Sequence, residues 1–161
     1  MNGIQSRIRI WTMCCCVVAL AAMTHAQGRK AGLWEVTTNM SMSNGPQNMP
    51  QMPARTMQVC VTQAMIDKYG GPISNPQQGQ CQVTNVSLTA TGMSASMSCS
   101  GRSNMTGTIQ TTFVDANTSK TTVAMNMAMG ANTMTMTMQS MAIFKGSDCG
   151  NVQPMTMPAS K

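Results

Sequence analysis

Histidine is nearly absent from this 161-residue sequence, and the absence removes several kinds of chemistry. The one histidine, His25, lies within residues 1–26, the predicted signal peptide. The rest of the chain therefore cannot form a Ser-His-Asp triad, a Cys-His pair or a histidine-ligated metal site. Acidic residues are also scarce, which leaves little material for paired catalytic carboxylates. The four are Glu35, Asp67, Asp115 and Asp148. The sequence predicts a protein that is not an enzyme and has no cofactor.

Aromatic residues are equally few, at 3% of the chain, and the basic residues never form a run. Nucleic-acid binding needs a basic patch together with aromatic platforms on which bases stack. Neither is present, so nucleic acid is excluded as a predicted partner. The formal net charge of +6 indicates a mildly basic, solvated surface.

Residues 1–26 have the three parts of a cleavable signal peptide. Arg7 and Arg9 supply the positive charge, and residues 11–23 form an uncharged apolar run. This run is shorter than the roughly 20 residues that a membrane-spanning helix needs. Thr24-His25-Ala26 places small residues at the −3 and −1 positions, so we expect cleavage before Gln27. The prediction is a periplasmic or secreted protein with no transmembrane segment after cleavage; an uncleaved N-terminal anchor is the alternative.

Four of the seven cysteines remain once the signal peptide is removed, namely Cys60, Cys81, Cys99 and Cys149. An even number in an exported chain predicts two disulfides. Zinc is the competing interpretation, but no pair has the close Cys-x-x-Cys spacing. Cys81 and Cys99 lie almost symmetrically about a predicted turn at Thr91-Gly92, which favours Cys81–Cys99 with Cys60–Cys149. The pairing of Cys60 with Cys81 and of Cys99 with Cys149 stays open.

Alternation of apolar and polar residues is the dominant pattern after the signal peptide, and it is typical of strands. We predict a single β-rich domain over residues 27–150 and a flexible tail over residues 151–161. One short helix is predicted at Gln63–Tyr69, with Thr62 as its N-cap and an end at Gly70-Gly71. The fold class is mainly β: a curved antiparallel sheet, an open barrel or a two-sheet sandwich of about seven strands. The predicted strands are 32–42, 55–62, 81–90, 93–100, 105–114, 121–129 and 133–144.

Methionine is the abundant residue, at 21 of 161, and it often recurs at every second position. In a strand this spacing places the thioethers on one face. We interpret the pattern as an apolar core face with methionine as a flexible filler. The alternative is a Cu(I) or other soft-metal site built from thioethers. The side chains concerned are Met125, Met127, Met129, Met134, Met136 and Met138.

Several short motifs occur here in the order found in one group of exported bacterial proteins. They are Gly32-Leu33-Trp34-Glu35-Val36-Thr37-Thr38, Cys60-Val61-Thr62 before the helix, Cys81, Cys99, and Gly146-Ser147-Asp148-Cys149-Gly150. In this combination the chain resembles the domain-of-unknown-function 3617 family over nearly its whole mature length. The resemblance implies a Gram-negative envelope location and supplies no activity.

A non-catalytic binding or structural role in the bacterial envelope remains after these exclusions. A sheet that curves around a methionine-lined interior is suited to hold a lipid or another apolar ligand, because methionine surfaces re-pack around varied shapes. The predicted partner is therefore an apolar small molecule or an envelope protein. No residue in the sequence identifies the ligand.

Overall fold

A computed structural model describes residues 29–43, 52–73, 81–100, 104–129 and 132–155. The predicted signal peptide lies outside these residues, as do residues 156–161 of the predicted tail. None of the helices in the described part is long and apolar enough to cross a membrane. The described elements are β1 (Gly32–Ser43), β2 (Met52–Val61), α1 (Gln63–Tyr69), β3 (Cys81–Leu88), β4 (Gly92–Cys99), β5 (Met105–Phe113), β6 (Thr118–Met129) and β7 (Asn132–Gly146).

The seven strands form one antiparallel sheet in the order β2-β1-β7-β6-β5-β4-β3. From β3 to β7 the chain runs as an up-and-down meander, in which each strand pairs with the next. β1 then pairs with β7, and β2 pairs with β1 at the far edge. Because the sheet ends on β2 and β3, it is open. The predicted mainly β fold with about seven strands and one helix is confirmed, as a single open sheet and not a sandwich.

One face of the sheet, here called the inner face, carries the core. Alternation places Trp34 and Val36 of β1 on it, whereas Glu35 between them points to the opposite, outer face. In β4 the buried side chains again occupy every second position. The outer face is rich in serine and threonine. The described side chains that form the buried inner face include Trp34, Val36, Val59, Met93, Ala95, Met97, Ile109, Val123, Met125 and Ala142.

Helix α1 covers part of the inner face, and local signals set both of its ends. The Thr62 hydroxyl accepts a hydrogen bond from the Met65 amide at 3.3 Å, as an N-cap does. Gly70 ends the helix with a left-handed φ of 76°. Met65, Ile66 and Tyr69 are buried between these ends. The predicted bounds, cap and terminating glycine are confirmed.

Two disulfides tie the sheet together, with the favoured pairing. Cys81–Cys99 joins directly opposed residues of β3 and β4. Cys60–Cys149 joins β2 to the segment after β7. That segment continues beside β2, where the Met155 amide donates to the Cys60 carbonyl at 3.0 Å. The start of the predicted tail, residues 151–155, therefore reaches the end of β2 at Pro154 and Met155.

The start of β6 differs from the strand prediction. Residues 118–120 were assigned to a turn, but β6 begins at Thr118 because Ser119 pairs with Phe113 on one side and Ala142 on the other. The turn is shorter, and the Asp115 carboxylate closes it by accepting a hydrogen bond from the backbone N–H of Asn117 at 2.7 Å. Met57 lies on the inner face, as its phase in the predicted strand indicates, but it is 56% exposed, because β2 is an edge strand.

Candidate functional site

A cavity of about 380 Å³ opens on the inner face over β1, β2 and β7. Each strand contributes through alternate side chains, which is the periodicity that places them on one face. The register aligns them in rows. Val36 of β1 lies opposite Met57 of β2 and Ala142 of β7. Met40 lies opposite Met138 of β7. Apolar side chains therefore make up most of the lining.

The segments that follow helix α1 and strand β7 complete the cavity wall. Pro72 and Ile73 line it directly after the helix, and Met155 lines it from the segment after Cys149. Ile73 is 2% exposed, and Met155 packs against the core. The Cys60–Cys149 disulfide holds the Met155 segment beside β2. The wall thus depends on the helix cap and on this disulfide.

A row of hydroxyl side chains crosses the apolar inner face. Ser140 of β7 lies opposite Thr38 of β1 and Thr121 of β6. Thr121 in turn lies opposite Thr111 of β5. The Thr38 and Ser140 hydroxyls share a hydrogen bond of 2.8 Å, and those of Thr111 and Thr121 share one of 2.9 Å. All of these except Thr111 line the cavity.

Arg55 of β2 stands at the open end of this hydroxyl row, opposite Thr38. It is exposed, and it is the charged residue among those that line the cavity. The four acidic residues of the chain all belong to the described residues, and none lies within 4.0 Å of its guanidinium. Glu35 pairs with Lys145 at 3.0 Å on the outer face. The other three accept local hydrogen bonds: Asp67 from Gln63, Asp115 from Asn117, and Asp148 from Gly150.

The predicted methionine cluster is spread over neighbouring rows of the inner face. Met125 and Met134 are buried, and Met127, Met136 and Met138 are half-buried. The register places Met125 opposite Met136, and Met127 opposite Met134. Met129 is in β6, but its side chain lies outside the described ones. Among the described residues, no group of three or more His, Cys, Asp or Glu side chains is placed to hold a metal ion.

Next to the cavity, Trp34 fills the inner face as part of the scaffold. It is 1% exposed, its indole N–H donates to the Lys30 carbonyl at 3.0 Å, and its ring meets Phe144 edge-on at 5.5 Å. The Arg29 guanidinium stacks 3.6 Å above the Phe113 ring. Desolvation by burial lowers the pKa of Arg29. These residues close the side of the core.

Sequence reasoning overlooked the polar part of the site. Alternation along each strand places the side chains of Arg55, Ser140 and Thr121 on the inner face. This alternation could be read from the sequence. The prediction singled out the methionines and cysteines, and it gave no role to inward hydroxyl groups. Met155 was assigned to the tail, and the Cys60–Cys149 disulfide together with its hydrogen bond to Cys60 places it beside the cavity.

These features define a mainly β protein with an apolar cavity on one face of an open, disulfide-bonded sheet. The chain belongs to the family of proteins of unknown function DUF3617, whose family model matches residues 29–149. The resemblance seen in the sequence motifs is confirmed. No curated protein and no solved structure matches the chain. The two disulfides indicate an oxidising, extracytoplasmic compartment.

Proposed function

We propose that this is an exported, non-catalytic envelope protein that binds an apolar small molecule in the inner-face cavity. The observation that carries the proposal is the cavity itself. Its volume of about 380 Å³ falls in the range of roughly 300–1,000 Å³ that small-molecule sites occupy. Its lining is largely apolar with a few convergent polar groups, which is the usual composition of such sites.

The character of the lining supports a ligand with a flexible chain. Met40, Met57 and Met138 reach the cavity from three adjacent strands. Unbranched thioether side chains change rotamer easily and adapt to ligands of different shape. Met57 and Met52 are 56% and 41% exposed, so apolar surface extends from the cavity to its mouth.

A non-catalytic role agrees with the ion pair and hydrogen bonds that the acidic side chains already make. Glu35 is held in an ion pair on the outer face, away from the cavity. The other three accept hydrogen bonds within two to four residues of their own position. The cavity lining therefore contains hydroxyls, one guanidinium and apolar groups, but no carboxylate to act as a general base.

Export through a signal peptide cleaved before Gln27 is part of the same proposal, and one experiment addresses both parts. The protein is purified from the envelope of its own bacterium, and its mass is measured under native and then denaturing conditions. We expect a chain that begins at Gln27 and a co-purified apolar molecule of defined mass. A chain that retains residues 1–26 would contradict the cleavage.

Filling the cavity tests the site itself. Ala142 is 5% exposed and lines the cavity, so Ala142→Phe places a ring in it. We expect at least about tenfold weaker binding of N-phenyl-1-naphthylamine, a neutral apolar fluorophore, because each displaced methylene contact is worth about 0.8 kcal/mol. The matched control is Ala124→Phe, which adds the same ring to the outer face of β6, opposite Thr137. Equal binding by both variants, each shown to be folded by thermal melting, would contradict the cavity site.

Cu(I) binding is a second candidate function, favoured by the strand register. Met42 of β1, Met136 of β7 and Met125 of β6 lie opposite one another in one row of three adjacent strands. Residues directly opposite in a sheet have Cβ atoms about 4.5–5.5 Å apart, so their thioethers share one small region. Thioethers are soft ligands that select Cu(I).

Replacing by leucine the six methionines named in the sequence analysis distinguishes a Cu(I) site from a purely structural role in the core. Leucine nearly conserves volume, so each swap should cost less than about 1.5 kcal/mol, yet it offers no donor atom. The variant changes Met125, Met127, Met129, Met134, Met136 and Met138. We expect weak Cu(I) binding both before and after the change, measured by competition with a chromogenic chelator alongside thermal melting. Tight binding that disappears in a folded variant would establish the copper site.

A further inference from the structure

We propose that the cavity selects a single-chain amphiphile with an anionic head, a carboxylate or phosphate, which Arg55 binds at the mouth. The inference rests on the proposed function, since it names the class of ligand for the same cavity. Its basis is the juxtaposition of one unpaired cation, a row of hydroxyls and an apolar interior. Each of these features follows from strand phase and register.

The charge of Arg55 is isolated from the acidic side chains of the protein. Arg55 lies on the inner face of an edge strand, in the part of β2 between the exposed apolar side chains of Met52 and Met57. The four carboxylates of the chain's Asp and Glu residues are engaged elsewhere, so Arg55 has no acidic partner among them. A guanidinium presents a planar fork of donors that matches a carboxylate or phosphate bidentately. An anion bound at this position would give Arg55 the acidic partner that the Asp and Glu residues of the chain do not supply.

The hydroxyl row has a hydrogen-bond donor to spare. Thr38 and Ser140 together carry two O–H donors, and their mutual hydrogen bond uses one. The second O–H has no acceptor among the described residues. Thr38 lies directly opposite Arg55, so the free hydroxyl donor and the guanidinium belong to the same row. An oxygen-rich head would accept from both, whereas a wholly apolar ligand would leave the hydroxyl unsatisfied.

Polar and apolar surfaces of the cavity lie in separate rows. The row that contains Arg55 and Thr38 is followed along β1 by Met40, opposite Met138, and preceded by Val36, opposite Ala142. Apolar rows therefore lie on both sides of the polar one. A ligand with a charged head at the mouth and a hydrocarbon chain inside would match both surfaces. A compact charged metabolite would leave the apolar rows in water.

The test compares three competitors that share a sixteen-carbon chain: hexadecanoate, hexadecyl phosphate and hexadecan-1-ol. Each displaces N-phenyl-1-naphthylamine from the full-length exported protein, from Arg55→Gln and from Lys120→Gln. Lys120→Gln is the matched control, because it removes one positive charge from the outer face of β6. We expect the wild type and the control to bind the anions about tenfold more tightly than the alcohol. We expect Arg55→Gln to bind all three equally, and salt to shrink the preference in the wild type.

The outcomes separate this inference from the proposed function. An anion preference that persists in Arg55→Gln, or its absence from the wild type while the alcohol still binds, would overturn the assignment of Arg55 and leave the apolar cavity intact. Failure of the fluorophore and all three competitors to bind would overturn both proposals. A preference for one anion, lost in Arg55→Gln, would identify the head as carboxylate or phosphate. Circular dichroism of each variant shows that it is folded.

Discussion

Gly70 shows how one residue joins the helix cap to the packing of the core. Its φ of 76° is strained for any residue with a side chain. A Cβ at this position would lie 2.5 Å from Cζ of Phe113 and 3.0 Å from Nε of Arg29. Phe113 in turn carries the Arg29 guanidinium on its ring. Any side chain at residue 70 therefore disturbs both the helix end and this cation–π pair.

We predict that Gly70→Ala lowers the free energy of unfolding by more than about 2 kcal/mol. The left-handed conformation alone costs alanine about 1–2 kcal/mol, and the displacement of Phe113 adds to it. Gly150→Ala is the matched control: its φ of 54° is also left-handed, but a Cβ there meets nothing within 4 Å. Urea unfolding of both variants measures the difference. A loss in Gly70→Ala no larger than in the control would show that Phe113 and Arg29 move aside without cost.

Among the elements, the two disulfides close loops of very different length. Cys81–Cys99 spans a sequence separation of 18 residues, and Cys60–Cys149 spans 89. A crosslink restricts the unfolded chain more when its loop is longer, which gives about 3 kcal/mol for the first loop and about 4.6 kcal/mol for the second. Cys60–Cys149 also positions the Met155 segment beside β2.

We therefore predict that Cys60→Ser/Cys149→Ser destabilises the protein more than Cys81→Ser/Cys99→Ser, by about 1.5 kcal/mol or more. Urea unfolding of the two double variants, with the remaining disulfide intact, gives the comparison. The fluorophore assay supplies a second measure, because loss of Cys60–Cys149 should also weaken binding by releasing Met155. If removal of Cys81–Cys99 destabilises the protein more than removal of Cys60–Cys149, native packing and not the entropy of the unfolded chain governs the contribution of these disulfides.

Elements whose signals are local were predictable from sequence. Helix α1 is bounded by its own cap residue Thr62 and its own glycine, so its limits needed no knowledge of the rest of the fold. The start of β6 was mispredicted because Ser119 is recruited into the strand by partners on β5 and β7. The candidate site was only half visible for the same reason. Apolar alternation predicted its lining, but Arg55, Thr38 and Ser140 become neighbours through the pairing of β1 with β2 and β7.

At the scale of the whole molecule, the order of the strands explains where the cavity lies. Helix α1 and the segment to Ile73 cover part of the inner face, and the Met155 segment approaches from the β2 edge. The space over β1, β2 and β7 lies between these coverings. An open sheet has no opposing strands to fill such a space, as a closed barrel would. The cavity is therefore a product of the open architecture together with two short covering segments.

The same strand order also determines when the parts of the molecule can assemble. The meander from β3 to β7 joins neighbours along the chain, but Thr38 of β1 and Ser140 of β7 are 102 residues apart. A chain is synthesised from its N-terminus, so β1 is made early and finds its second neighbour only after β7 has been completed. Until then the apolar side of β1, including Trp34, has no finished sheet to pack on, and contacts between distant parts of a chain form slowly. The first strand to emerge is thus among the last to be finished.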